Sequence, residues 1–352
     1  MFSQAFIHTI LTIIPFLFYV MVSIKKNRKY ELGKVSIVSC VALLLIMGIL
    51  MGLTPVEEGA DKYNYMMEFL GVSENRTSEP GWMLYVGICR LLFGSNFILY
   101  FVFTALFYSF LYLFVAYKLF PKDVVGYFII MTVGAMGFVG YGDNAIRSGM
   151  SIAVFLFAIS FPNKAKVSLL LILLSLLIHR ATVLPVSAYF ATFFIKNKKL
   201  WELFWVICLL LSILNMDLSP LYQKFGFVDD KVDRYVDTIG GVNDYDSRFR
   251  FDFLIYSVVP LYISNIWMNK YKYYNAFYSH MYNTYLLSNA MWLLVIRMAF
   301  TDRMAYLSWF LIPILVLYPV LTYEVRMKNA QRVVVFLMGI FIGLNVFLSI
   351  LR

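Results

Sequence analysis

The apolar residues of this chain fall into about twelve long runs, and its charges lie almost entirely between them. Runs near the ~20 residues that cross a hydrocarbon core of about 30 Å leave one solution, helices stacked through a bilayer. A barrel would need alternating rather than continuous apolar residues. The proportions agree, because 61% of the 352 residues are hydrophobic and only 14% charged, and a soluble domain of this length carries far more charge. The first run, Ala5 to Ile24, lacks the basic start and small-residue cleavage site of a signal peptide and reads as a retained helix. Cys40, Cys89 and Cys208 are dispersed without paired spacing, so neither a disulfide framework nor a metal site is expected. The formal charge of +10 sits in short loops beside the runs. It reports topology and excludes a nucleic-acid partner.

The basic residues are divided by type. When the runs are threaded alternately, 14 of the 17 Lys fall on one side and 10 of the 13 Arg on or near the other. Lys beside apolar spans marks the cytoplasm. That places the loop with Lys25 and Lys26 inside and predicts both termini outside. Outer loops are expected at about 54–94 and 217–250, the first rich in acids. Within it, Gly81 to Phe93 is apolar but short, and only one crossing fits between Pro80 and Lys118. That segment is predicted to be a surface or re-entrant helix. Val167 to Ile195 has Lys on both flanks and His179-Arg180 in its middle. An even number of crossings is required, so it is predicted to split there into two short helices, as segments lining a polar cavity do. The expectation is an all-α polytopic membrane helix bundle of about 11–12 transmembrane helices, forming a single domain over 1–352.

Arg gathered at the outer ends of spans needs its own reason. Guanidinium forks grip phosphate oxygens in pairs and stay charged in apolar surroundings. Arg147, inside a helix that starts near Asp143-Asn144, is the first candidate, with Asn144 beside it. The bland reading is an Arg that snorkels or pairs with Asp143. His179 is a candidate general base, with Arg180 as an adjacent phosphate contact. Arg297 and Arg303 flank the gap between two late helices, and Arg248, Arg250 and Asp252 form Arg-Phe-Arg-Phe-Asp. Asp61, Tyr65 and Glu79 stand beside the short helix; Glu79 is a second candidate base, or simply a carboxylate favoured by a helix N-terminus. Asp244-Tyr245-Asp246 has a metal-binding spacing that acidic loops often show by chance, and Asn75-Arg76-Thr77 matches a glycosylation acceptor equally weakly. No metal or cofactor is expected.

At Asp61-Lys-Tyr-Asn-Tyr65, Glu79-Pro-Gly-Trp82, Asn144-Ala-Ile-Arg147, Leu177-Ile-His-Arg180 with Pro185, and Arg303-Met-Ala-Tyr306, the chain resembles the EpsG-like family of bacterial polysaccharide polymerases, related in role to the Wzy O-antigen polymerases. Arg180 stands where that family is expected to carry Lys or another residue. The resemblance implies a C-type glycosyltransferase-like membrane fold in the bacterial inner membrane, with a cavity open to the outer leaflet. It implies undecaprenyl-pyrophosphate-linked glycans as substrates, for O-antigen, capsule or exopolysaccharide, and a chain-length regulator as a candidate partner besides the lipid bilayer. Glycosyl transfer between two lipid-linked units is then the expected reaction. Competing readings are a lipid-linked oligosaccharide flippase, a glycan acyltransferase and an O-antigen ligase.

Overall fold

The computed structural model describes residues 4–24, 32–57, 61–72, 79–214, 249–298, 301–322, 324–325 and 329–351. All regular structure among them is helical, and the chain is a polytopic membrane helix bundle. Among the described residues, five helical stretches are long and apolar enough to cross a membrane: Ile7–Ile24, Phe97–Leu119, Phe251–Lys270, Thr301–Leu321 and Ala330–Ser349. Five more apolar helices of 10–17 residues accompany them. The chain divides into two compact units, Met1–His179 with Leu317–Arg352, and Arg180–Val316. The division falls at the interruption anticipated between His179 and Arg180.

In chain order the first unit begins with α1 (Gln4–Ile24), α2 (Ile37–Leu53), the short α3 (Asp61–Leu70), α4 (Pro80–Phe93) and α5 (Phe97–Leu119). It continues with α6 (Val125–Gly134), α7 (Phe138–Asp143), α8 (Ile146–Ile159) and α9 (Ala165–Ile178). Close packing of α2 on α5 depends on Gly52, where a Cβ would lie 2.4 Å from the Val102 Cα. Such small-residue contacts bring helices together where lipid removes the hydrophobic drive between them. The outward faces stay apolar: Leu84, Leu91 and Leu92 of α4 are all exposed, as lipid contact requires.

Val124 to Tyr141, one continuous apolar run in the sequence, is broken into α6 and α7. Ala135 is extended and Gly137 takes φ 99°, a left-handed conformation that closes one helix before the next begins. The predicted break at His179 is present. His179 is extended, with φ −157° and ψ 126°, at the end of α9, and a 3-10 turn over Arg180–Thr182 follows.

The second unit carries α10 (Val183–Phe194), α11 (Lys198–Ile213), α12 (Phe251–Asn265), α13 (Ala276–Leu293) and α14 (Thr301–Trp309). A turn of π-helix, Ile266–Lys270, extends α12. Asn197 and Asn275 cap α11 and α13 by accepting from the backbone N–H of Lys199 and Tyr278. Its core is stitched by polar side chains. Asn289 accepts from Trp205 Nε1 at 2.8 Å and donates to Ser257 and Ser308, both at 3.1 Å. Trp309 Nε1 donates to Ser257 Oγ at 2.8 Å. Four helices are thereby joined by hydrogen bonds, the glue available to helices that meet in hydrocarbon. Within α15 (Ile312–Leu321) the chain returns to the first unit at Leu317, and that unit ends with α16 (Ala330–Leu351), which packs on α1.

Candidate active site

Three helix ends in the first unit each place one ionisable side chain at a common point. Glu79 is the residue before α4, with φ −83° and ψ 108°, and Pro80 supplies the first helical position. A carboxylate there normally caps its own helix, yet Glu79 makes no capping hydrogen bond. Its side chain turns away, to α8 and α9. Oε1 meets His179 Nδ1 at 2.6 Å and Oε2 accepts from an Arg147 guanidinium nitrogen at 3.0 Å. Arg147 lies in the first turn of α8 and His179 just past the last turn of α9. The side chains are 8–11% exposed, so this is a charged cluster within an apolar unit.

Packing explains how the ends meet. A Cβ on Gly81 would come within 2.8 Å of the Leu177 backbone. Only glycine lets the first turn of α4 lie directly on the last turn of α9, two residues before His179. From the other side, Ser151 Oγ of α8 donates to the Ser175 carbonyl of α9 at 2.7 Å. The Tyr65 ring lies beside Arg147, 5.5 Å from its Cζ, and packs on Trp82 with ring centroids 5.6 Å apart. Arg90, the charge inside the short apolar α4, donates from Nε to the Phe69 carbonyl at 2.6 Å and from a terminal nitrogen to that of Glu68. It closes the C-terminal end of α3 onto α4.

The structure thus brings together His179, Glu79, Arg147 and Tyr65. Asn144 is half-buried at the end of α7, and Asp61 half-buried in the first turn of α3. The partner of Arg147 is Glu79, not Asp143. Asp143 is held by other groups: Lys62 Nζ on one oxygen at 3.2 Å, His8 Nε2 on the other at 3.1 Å, and the Thr54 hydroxyl. Lys62 is a lysine only 3% exposed, and its burial pulls its pKa down against the opposing pull of Asp143. Sequence reasoning missed it, because a Lys in an acidic loop reads as a solvated charge.

The second unit holds the remaining basic candidates. Arg180, Arg297 and Arg303 are each half-buried, and the guanidinium of Arg297 lies 5.2 Å from the Phe249 ring. Arg250 is closed on its own neighbour, donating from Nε to Asp252 Oδ1 at 2.9 Å and from a terminal nitrogen to Oδ2 at 2.6 Å, with its Cζ 3.6 Å from the Phe253 ring. Arg248, the Asp244–Asp246 pair and Asn75-Arg76-Thr77 lie outside the described residues. Among the described residues, no three His, Cys, Asp or Glu are grouped to hold a metal ion.

In this membrane helix bundle one buried carboxylate is shared between an imidazole and a guanidinium. The chain belongs to the EpsG family, whose model matches residues 37–352. Membership points to a polysaccharide-polymerase type of function carried out in a membrane. No curated protein and no solved structure matches the chain.

Proposed function

We propose that this protein joins undecaprenyl-pyrophosphate-linked oligosaccharide units on the outer face of the bacterial inner membrane, lengthening an O-antigen, capsule or exopolysaccharide. The observation that carries the proposal is the Glu79 carboxylate bridging His179 and Arg147 at 2.6 and 3.0 Å. With Glu79 accepting from Nδ1–H, the imidazole keeps its basic lone pair on Nε2. This tautomer was assigned from the hydrogen bond. Nε2 takes the proton as the hydroxyl oxygen of one unit's terminal sugar bonds to the anomeric carbon of the other glycan. The bond from that carbon to the pyrophosphate oxygen breaks, and undecaprenyl pyrophosphate leaves with the electron pair. Arg147 stabilises the charge growing on that oxygen, in low-dielectric surroundings where such contacts are strongest. Glu79 serves as the orienting group rather than the base, since both its oxygens are engaged. Arg180, Arg297 and Arg303 are further candidates for phosphate contact. Arg250 is a weaker one, because a phosphate there must displace Asp252.

Purified protein in vesicles, supplied with one lipid-linked unit as sole substrate, should yield a ladder of lengthened glycans. A flippase would only move the unit across the bilayer, and a ligase would need a separate acceptor lipid. Absence of a ladder from folded protein would overturn the proposal.

A further inference from the structure

Five oxygens surround the ammonium of Lys62. They are the carbonyls of Met51 at 2.9 Å, Thr54 at 3.0 Å and Gly52 at 3.4 Å, the Thr54 hydroxyl, and Asp143 Oδ1 at 3.2 Å. The Phe101 ring closes the shell 4.9 Å away. An ammonium has only three N–H donors, so five oxygens exceed one acceptor for each donor. The shell has the form of a cation cage. Three of its members are carbonyls where α2 ends, the negative end of the helix dipole. In secondary transporters, half-helix C-termini and unwound carbonyls coordinate small monovalent cations. Here the cation is supplied by a side chain.

The cage reaches the reacting groups through one short segment. Asp143 ends α7, and Arg147 stands four residues later in the first turn of α8. Between them the chain turns sharply, with the N–H groups of Asn144 and Ala145 both bonded to the Gly140 carbonyl. Lys62 and Tyr65 are three residues apart on α3 and share one face. One grips Asp143 at the start of the turn and the other lies beside Arg147 at its end.

We propose that Lys62 is a tethered cation whose task is to pin the turn that carries Arg147, making it a positioning residue for glycosyl transfer, and that a small free cation can replace it when the side chain is removed. The positioning half rests on the role assigned to Arg147 above; the cage half does not.

The test uses the full-length protein in vesicles or detergent. For Lys62→Ala, the rate of ladder formation at saturating lipid-linked unit should fall about 10- to 100-fold, the usual consequence of displacing a catalytic group by about 1 Å. The half-saturating concentration should move less than about twofold. Ammonium or methylammonium chloride should restore part of the rate and raise the thermal midpoint of the variant, whereas choline chloride at equal ionic strength should do neither. Wild-type protein should respond to none of them. In an Arg147→Lys background, Lys62→Ala should cost less than about twofold more, because the group it positions is already impaired. A folded Lys62→Ala protein with the wild-type rate would overturn the proposal. So would a loss that small cations leave untouched and that multiplies with the Arg147→Lys loss. If Lys62→Ala does not accumulate, Lys62→Met combined with Asp143→Leu removes both charges together. That protein should fold and show the same rate loss, and a wild-type rate there also overturns the proposal. If wild-type protein makes no ladder, the functional reading alone falls, and the cation dependence of the Lys62→Ala midpoint still decides the cage.

Discussion

Two arginine–carboxylate contacts in this molecule are chemically alike and differ in almost everything else. Arg250 binds Asp252 with two hydrogen bonds, but the residues are two apart in sequence and each is about a third exposed. Chain connectivity alone nearly guarantees that pair. Arg147 and Glu79 stand 68 residues apart, and each is about nine-tenths buried. Their contact exists only after α4, α8 and α9 have packed. A local exposed pair contributes about 0–1 kcal/mol and can be given up readily. A buried pair built from distant helices costs desolvation to form and about 3–5 kcal/mol when one member is removed. Such a contact is worth its desolvation where a charge must be held in a fixed place. The third member, His179, widens the difference, for the same carboxylate also bonds an imidazole.

The contrast is broken most sharply at Arg147. Arg147→Ala should abolish polymer, with at least a ~100-fold loss of ladder formation, and leave single units on the carrier or on lipid A. Glycan length on cells complemented with the variant reads this directly. Arg147→Lys should also lose most activity, because the fork is gone though the charge remains; near-normal chain length would show that charge alone suffices. Next comes the carboxylate. Glu79→Gln retains the shape but removes the charge that favours the tautomer proposed to react, and His179→Ala removes the proposed base. Each should lower the rate by about 100- to 10,000-fold. The two combined should lose little more than the worse single change, and full multiplication of the losses would mean that they act separately. Gly81→Val tests the packing that unites them. A side chain forced against the Leu177 backbone should part α4 from α9 and cut activity about tenfold or more, with a lowered thermal midpoint. An active, stable Gly81→Val protein would show that the close approach is dispensable. The smallest effect belongs to Arg250→Ala, with a ladder rate within about threefold of wild type and a midpoint barely moved. A large loss there would mean that Arg250 leaves Asp252 to meet substrate.

Much of this was legible in the residue order. Hydropathy placed the spanning helices, since a long apolar run has no other stable form in lipid. Lys on both flanks of Val167 to Ile195 required an even number of crossings, and His179-Arg180 in its middle located the break. The split of α6 from α7 was not legible: Gly137 is one of several glycines in apolar runs, and only its φ of 99° distinguishes it. Asn144, Arg147, His179 and Glu79 were all named from residue type and position. Their pairing was not. Asp143 lies four residues from Arg147 and was the obvious local partner, but it faces Lys62 and His8. Glu79 stands where a carboxylate normally caps a helix, and nothing local signals that its side chain points elsewhere.

Composition and period by themselves determined the class of structure and the residues able to carry charge chemistry, because burial in lipid penalises each charge on its own, wherever its partner lies. Which charges meet was decided only by tertiary structure. The energy of an ion pair depends on distance and on the dielectric around it, and both arise when helices far apart in the chain, such as those ending at Glu79 and His179, come to rest against each other.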